Sequence, residues 1–174
     1  MSYPRSDVAT DEPIRVGLGD EFAARFGTPD VAVFELSANG DAVLCLRVNT
    51  LDASKTAPTL RCADAMIAYC ADKNLAPRCL VFAKASGMKA HDDRADLGLI
   101  ESLVNGGRVT RVLWRDAAAI SRSTECALRH HTALQNAGAE LHLLDRGRID
   151  AVAYEAAVPP YMAFVDERGT PREA

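Results

Sequence analysis

The chain has 174 residues, of which 48% are hydrophobic and 25% are charged, a composition typical of one globular domain with a buried core. No apolar stretch approaches the roughly 20 residues of a membrane-spanning helix, and the sequence has no secretory leader, so we expect neither a membrane protein nor an exported one. The net charge of −4 arises within residues 1–40, where seven acidic side chains stand against three basic ones, while the rest carries 17 of each sign. This balance indicates no strong electrostatic surface for nucleic acid.

The first two predicted strands are two runs of residues with high β-propensity. They are VAVFELS at 31–37 and AVLCLRV at 42–48, and Asn39-Gly40 lies between them. An Asn-Gly pair between two such runs is the strongest short signal for a hairpin. The sequence therefore predicts that the two runs pair antiparallel.

Predicted strands and helices then alternate. Pro58 fits the first turn of one helix, Asp93 begins a second, and Ser121 or Ser123 caps a third. The strands between and after these helices are predicted at 78–83, 109–114 and 139–144. Short links between alternating elements favour an α/β fold with three layers and a mostly parallel sheet. The first β-rich run adds an N-terminal antiparallel strand to that sheet.

The pattern divides the chain into three parts. Residues 1–40 are predicted to form an acidic extension with a disordered start, a short helix capped by Asp20, and the extra strand. Residues 41–150 form the α/β domain. Residues 151–174 form a short tail, in which Pro159-Pro160 interrupts any helix.

The cysteines and histidines indicate no metal or cofactor. The cysteine count is odd and no pair has CxxC spacing, so we expect reduced, buried thiols and a cytoplasmic protein. The cysteines are Cys45, Cys62, Cys70, Cys79 and Cys126. Cys126 and His130 are four residues apart on a predicted helix, beside Glu125 and His131, which is a spacing that metal sites use. No second pair has matching spacing, so a solvated helix face is the favoured interpretation.

Four segments between Leu44 and Leu144 carry a resemblance to a known family. They are LRVNT (46–50), RCADAMIAYCADKNLA (61–76), Ser86-Gly87 followed by Asp93-Arg94, and RVLWRDAAAISRS (111–123). In this order and at this spacing they resemble the catalytic domain of the serine recombinases, the resolvase/invertase family. The resemblance implies the resolvase type of α/β fold. It also implies a chemistry in which a serine hydroxyl attacks a DNA phosphodiester while arginines neutralise the developing charge.

The resemblance implies a degenerate catalytic site with no intact catalytic set. It places Asn49 at the position of the nucleophile, and an amide cannot attack a phosphodiester. Arg47, Arg94 and Arg122 match arginines of the family, whereas Ala117–Ala119 replace its acid–arginine pair. Whether the chain is an enzyme stays open, and a non-catalytic domain is favoured.

Two questions about the site remain open at this point. The three matching arginines, together with Ser86, could form a residual anion site, or they could be scaffold arginines held in salt bridges. Thr50 and Ser54 lie beside the lost nucleophile and could replace it, although turn and cap chemistry is the simpler interpretation.

The function that these observations favour is a non-catalytic serine-recombinase-like domain acting as a binding or regulatory protein in a phage, plasmid or mobile-element setting. Its partner is expected to be a basic protein that contacts the acidic extension. The alternatives are an active strand-transfer or nicking recombinase with a shifted nucleophile, and a small-ligand-binding α/β domain. The family's long helix and DNA-binding module find no counterpart in the 30 residues after Leu144, so we expect weak or no autonomous DNA binding and no dimer of the family's type.

Overall fold

The computed structural model describes residues 30–49 and 53–150, apart from the side chains of Ala53 and Ser54. The strands are β1 (Val31–Glu35), β2 (Ala42–Val48), β3 (Pro77–Lys84), β4 (Arg111–Trp114), β5 (Glu140–Leu143) and β6 (Gly147–Ile149). The helices are α1 (Ala53–Asp72), α2 (Ala95–Asn105), α3 (Ala117–Ile120) and α4 (Thr124–Asn136), with a 3₁₀ turn at His91–Asp93.

All six described strands form one sheet in the order β1-β3-β2-β4-β5-β6. The four central strands run parallel to one another, whereas β1 and β6 are antiparallel to their neighbours at the two edges. The parallel centre arises because a helix connects each central strand to the next. The predicted α/β class, with a mostly parallel sheet and an added N-terminal antiparallel strand, is confirmed.

Strand β2 shows how the sheet separates two apolar cores. Val43 and Cys45 point to one face, where α2 and α4 pack, and Leu44 and Leu46 point to the other, where α1 packs. Residues 42–46 are buried on both faces, which is why this strand reads as a continuous apolar run instead of an alternating one. The result is the three-layer arrangement that the alternating sequence pattern predicts.

The predicted hairpin between the first two strands is wrong, because β1 pairs with β3 and not with β2. A two-residue type I′ turn needs positive φ at both central residues, and neither Asn39 nor Gly40 has it. Instead the chain crosses the start of β3, where a Cβ on Gly40 would lie 2.4 Å from the backbone nitrogen of Arg78. The glycine permits a close approach of two backbones and does not form a hairpin turn.

Two helix boundaries and one edge strand differ from the sequence-based expectation. Helix α1 begins at Ala53, so Pro58 lies inside it, and α2 begins after Arg94, because Asp93 belongs to the 3₁₀ turn. The cap of α4 agrees with the expectation, because Ser123, one of the two predicted caps, accepts a hydrogen bond from the backbone N–H of Cys126 at 3.3 Å. Strand β6 has no counterpart among the predicted elements, since three residues are too short for a clear pattern.

None of the described helices combines the length and apolar character that a membrane span requires. The predicted helix at Asp20, residue Thr50, and the tail over 151–174 lie outside the described residues.

Candidate functional site

An open cleft of about 540 Å³ lies at the carboxyl ends of β2 and β4. These strands are neighbours and parallel, so the residues that follow them meet at one edge of the sheet, which is where ligands bind in α/β folds. The lining residues are Cys45, Leu46, Arg47, Val48, Asn49, Lys55, Pro58, Thr59, Cys62, Arg115, Ala119 and Arg122.

Arg47, near the end of β2, is bonded to the protein through most of its guanidinium group. Nε donates to the carbonyl of Ala119 at 2.8 Å and Nη2 to that of Ala118 at 3.0 Å. Nη1 donates to the carbonyl of Ala85 at 2.9 Å and to the side-chain oxygen of Asn49. A guanidinium has five N–H groups, so one remains for any ligand.

Burial and neighbouring arginines both disfavour the charge of Arg47, although Asp96 opposes them. Burial, followed by the charge of Arg94, lowers the pKa of Arg47 to about 10, and Arg122 contributes in the same direction. The group therefore stays charged at neutral pH, and among the described residues its hydrogen-bond partners are carbonyl and amide oxygens and not a carboxylate. An anion placed here would relieve the mutual repulsion of the arginines.

Arg94 is a buried structural residue and does not line the cleft. Its Nε and Nη2 donate to the two carboxylate oxygens of Asp96 at 2.8 and 2.7 Å, and its Nη1 donates to the carbonyl of Ile120 at 2.8 Å. Both side chains of the pair are at most 1% exposed. The sequence left open whether Arg94 belongs to an anion site or is a scaffold arginine held in a salt bridge, and this geometry supports the scaffold arginine.

Arg122 lines the cleft, whereas Ser86 lies in the loop that follows β3 and is not part of the lining. Arg122 is exposed and lines the cleft, and no partner for its guanidinium lies among the described residues. Its backbone N–H donates to the carbonyl of Gly87 at 2.8 Å. The hydroxyl of Ser86 accepts a hydrogen bond from the N–H of Met88 at 3.1 Å and stays outside the cleft lining.

The side chains of Arg47 and Arg122 both pack closely against Gly87. A Cβ at this position would lie 3.0 Å from Nη2 of Arg47 and 3.1 Å from Cγ of Arg122. The glycine therefore lets both arginines pack against one backbone segment.

Sequence reasoning missed two cations of the cleft, Lys55 and Arg115. Arg115 follows β4 directly, and its Nε donates to Asp116 at 2.7 Å, while Lys55 is exposed on the first turns of α1. The adjacency of β2 and β4 was the signal that could have placed Arg115 here. With Arg47 and Arg122, four basic side chains line the cleft, and no acidic one does so in the described part of the chain.

The alanine segment that replaces the family's acid–arginine pair forms the short helix α3. Asp116 caps this helix by accepting a hydrogen bond from the N–H of Ala119 at 2.7 Å. The carboxylate of Asp116 is therefore engaged with a backbone N–H and with Arg115, and α3 offers backbone carbonyls, not side chains, to Arg47.

The cysteines of the described region carry no disulfide. Cys45, Cys70, Cys79 and Cys126 are buried, as the sequence predicts, and Cys62 is partly buried in the cleft wall. Burial raises the pKa of Cys62, opposed by the charge of Arg115, so its thiol stays protonated at neutral pH. A protonated thiol is a poor nucleophile.

The expected solvated face of α4 is wrong, because Cys126, His130 and His131 are all buried. His130 contacts a carboxylate on the neighbouring helix. Its Nδ1 lies 2.7 Å from Oε1 of Glu101 on α2, which also lies 2.7 Å from Nε2 of His91. Burial opposes the charge of Glu101, but the hydrogen bonds from His130 and His91 lower the pKa of its carboxyl.

Comparisons with known proteins agree with this architecture. No family model and no curated protein matches the sequence. The structure is similar to the C-terminal catalytic domain of ISC1926 TnpA, an IS607-like serine recombinase, with a TM-score of 0.52 and 19% identity over 60% of this chain and 69% of that one. It is also similar to a resolvase family site-specific recombinase from Streptococcus pneumoniae, with a TM-score of 0.50 and 16% identity over 68% of this chain and 83% of that one. The chain therefore has the fold of a serine recombinase catalytic domain.

Proposed function

We propose that the chain is a non-catalytic serine-recombinase-like domain that acts by binding. The observation that carries this proposal is the engagement of Arg47, four of whose N–H groups already donate to protein oxygens, one of them on Asn49. Phosphoryl transfer needs a nucleophile and cations that are free to stabilise developing charge. Here the amide at the nucleophile's position instead engages the cation beside it.

The other matching arginines support the same conclusion. Arg94 is held by Asp96 inside the protein, and Arg122 is the member of the three that is exposed at the cleft. Groups that act as a catalytic unit are strongly non-additive, so restoring one of them recovers little activity. Of the three arginines that match the family, a serine introduced at position 49 would find one exposed in the cleft, because protein oxygens hold Arg47 and Arg94.

The test uses Asn49→Ser in the full chain, incubated with labelled supercoiled and nicked DNA and analysed on a denaturing gel. We expect no covalent protein–DNA adduct from the wild type or from the variant. The matched control is Asn39→Ser, which adds the same hydroxyl at an exposed position outside the cleft.

Either kind of adduct would contradict the proposal in its own way. An adduct from the wild type would favour an active recombinase with Thr50 or Ser54 as a shifted nucleophile. An adduct from Asn49→Ser and not from Asn39→Ser would mean that the arginines remain usable for catalysis.

A second candidate function, binding of a small phosphate-bearing ligand in the cleft, is favoured by the four basic side chains of its lining. The test measures the unfolding temperature in the presence of inorganic phosphate and of nucleotides. If the folded state binds the ligand, the unfolding temperature rises with ligand concentration. Arg122→Ala is expected to weaken binding about tenfold, the effect of losing one charge-assisted hydrogen bond. Arg146→Ala is the matched control, because it removes an exposed arginine outside the cleft.

The proposed partner is a basic protein that contacts the acidic extension in a phage, plasmid or mobile-element setting within the cytoplasm. Support comes from the seven acidic and three basic side chains of residues 1–40, and from five cysteines without CxxC spacing. Affinity purification of the full chain, compared with a variant whose acids at 7, 11, 12, 20 and 21 are changed to amides, tests this partner. Retention of the same partner by the neutralised variant would exclude contact through the extension.

The domain is also proposed to bind duplex DNA weakly or not at all without a partner, because its net charge is −4. A gel shift with purified protein at physiological salt tests this. A sub-micromolar complex would contradict it.

A further inference from the structure

Two histidines and one glutamate meet on the face of the sheet covered by α2 and α4, away from the cleft. His91 lies in the 3₁₀ turn, Glu101 on α2 and His130 on α4. Oε1 of Glu101 lies 2.7 Å from Nε2 of His91 and 2.7 Å from Nδ1 of His130, and the three atoms all lie within 4.8 Å of one another. Because an ionised carboxylate only accepts hydrogen bonds, both rings direct an N–H at the same oxygen.

These three atoms suit a transition-metal ion. Imidazole nitrogen and carboxylate oxygen bind Zn²⁺ at about 2.0–2.2 Å, which puts tetrahedral ligands roughly 3.3 Å apart. Each of the two nitrogen–oxygen contacts would have to open by only about 0.6 Å from its present hydrogen-bond length to reach that separation. An ion would replace the two ring protons that now point at Glu101, and each proton would move to the other nitrogen of its own ring.

The surroundings of His91 already offer a place for the moved proton. Its Nδ1 lies 3.5 Å from Oδ1 of Asp92, which in turn pairs with Arg129 at 3.0 Å. A metal-binding histidine typically donates its other N–H to a carboxylate, which fixes the ring orientation and raises the basicity of the ligand. Asp92 stands in that position.

The burial of the cluster fits a site with one open position. The side chain of His130 is fully buried, whereas His91 and Glu101 remain 10% and 16% exposed. An ion could therefore enter from the side of His91 and Glu101 and keep a water molecule as its fourth ligand. Three protein ligands and one water is a common zinc arrangement.

We propose that His91, Glu101 and His130 bind one Zn²⁺ or a similar divalent transition-metal ion through Nε2, the carboxylate and Nδ1. The ion ties the 3₁₀ turn to helices α2 and α4. This site is independent of the cleft and of the proposed binding function.

The experiment titrates metal-free full chain with Zn²⁺ by calorimetry and with Co²⁺ by visible absorption. We expect one ion per chain and a Co²⁺ spectrum of nitrogen and oxygen ligands without a thiolate charge-transfer band. Glu101→Gln and His91→Gln are expected to lower Zn²⁺ affinity by more than about 100-fold, and Asp92→Asn by about tenfold, the range found for outer carboxylates.

A second histidine–glutamate contact supplies the matched controls. Nε2 of His142 lies 3.3 Å from Oε2 of Glu140 at the other side of β5, with no third ligand described beside it. Glu140→Gln and His142→Gln are expected to keep the wild-type affinity. His91 lies in a turn and is partly exposed, so His91→Gln keeps the test valid if a buried substitution at His130 prevents folding; circular dichroism of each metal-free variant checks this.

Three results would overturn the proposal. First, the wild type could fail to bind Zn²⁺ supplied at a concentration about 100 times a micromolar dissociation constant. A site of that affinity would then raise the free energy of unfolding by roughly 2.7 kcal/mol. Glu101→Gln and His91→Gln could bind as the wild type does. The Co²⁺ spectrum could show thiolate ligands, which would place the ion on cysteines.

Discussion

Arginines that match the same family pattern lie both in the cleft and in the protein interior, yet their side chains have different partners in the two regions. In the interior, Arg94 forms two short hydrogen bonds with Asp96 and neither side chain contacts solvent. In the cleft, Arg122 is exposed, and Arg47 lies between these extremes, tied to protein oxygens while facing the opening. The comparison shows that a match to the family pattern does not determine whether an arginine is available to a ligand or stabilises the fold.

The strongest way to break this comparison is to remove the partner of Arg94. Asp96→Asn leaves a buried guanidinium without its carboxylate, and breaking a buried ion pair in this way costs about 3–5 kcal/mol. Denaturant unfolding measures the loss. The exposed pair of Asp72 and Lys73 supplies the control, since Asp72→Asn should leave the midpoint unchanged. A loss below about 1 kcal/mol for Asp96→Asn would mean that Arg94 is not committed to the fold.

A second test concerns the backbone that both cleft arginines contact. Gly87→Ala places a methyl group 3.0 Å from Nη2 of Arg47, whose hydrogen bonds hold it in place, so we expect a destabilisation of about 1–2 kcal/mol. Gly98 lies in α2, where a methyl group added to it would meet nothing within 4 Å, so Gly98→Ala should stabilise by about 0.5–1 kcal/mol. Thermal unfolding of both variants measures the two shifts. Equal shifts would show that Gly87 is not packed against the arginines.

A third test uses His142, a histidine that is buried yet hydrogen-bonded to Tyr69 and Glu140. Burial lowers its pKa from 6.5, assisted by the charges of Arg111 and Arg148 and opposed by Glu140. The unfolded chain therefore binds the proton first as the pH falls, so this group's contribution to stability is lost below about pH 6.5 and levels off below the folded-state pKa.

The slope from this one group is at most about 1.4 kcal/mol per pH unit. His142→Gln should flatten the dependence of the unfolding free energy on pH between 7 and 5, measured by denaturant titration at several pH values. An unchanged slope in the variant would mean that His142 titrates alike in the folded and unfolded chain.

The smallest expected effect is on the stability of Arg122→Ala. Its side chain is exposed and its guanidinium has no partner among the described residues, so the free energy of unfolding should change by less than about 0.5 kcal/mol. Denaturant unfolding checks this beside the ligand titration with phosphate and nucleotides. A large loss of unfolding free energy would mean that Arg122 stabilises the fold, as Arg94 does.

The sequence could predict the central strands and helices because the strands of a parallel sheet are apolar on both faces and glycines mark the helix ends. It could not predict the partner of β1, since pairing between distant strands is decided by the close passage of Gly40 across Arg78 and not by the local turn signal. For the site, the resemblance supplied Arg47 and Arg122. It could not say that Asp96 would neutralise Arg94, because burial of both groups depends on how α2 and α3 pack.

The cluster of His91, Glu101 and His130 was hidden for a related reason. Its members are 10 and 29 positions apart and come from three elements, so no spacing motif connects them. The sequence pattern instead drew attention to Cys126 and His130, which lie four residues apart on helix α4. Residues that come together only through tertiary packing have no regular spacing in the sequence, so no motif could identify this cluster.

The position of β1 also has a consequence for synthesis of the chain. Its residues pair with residues 79–83 of β3, so β1 leaves the ribosome about 45–50 residues before its partner does, a delay of roughly 2–10 s at ordinary translation rates. During that time it is a strand without a neighbour, carrying Val33, which stays 41% exposed even in the finished sheet. An unpaired strand is a template for pairing with another chain, so slow translation of the segment between β1 and β3 is expected to lower the yield of folded protein.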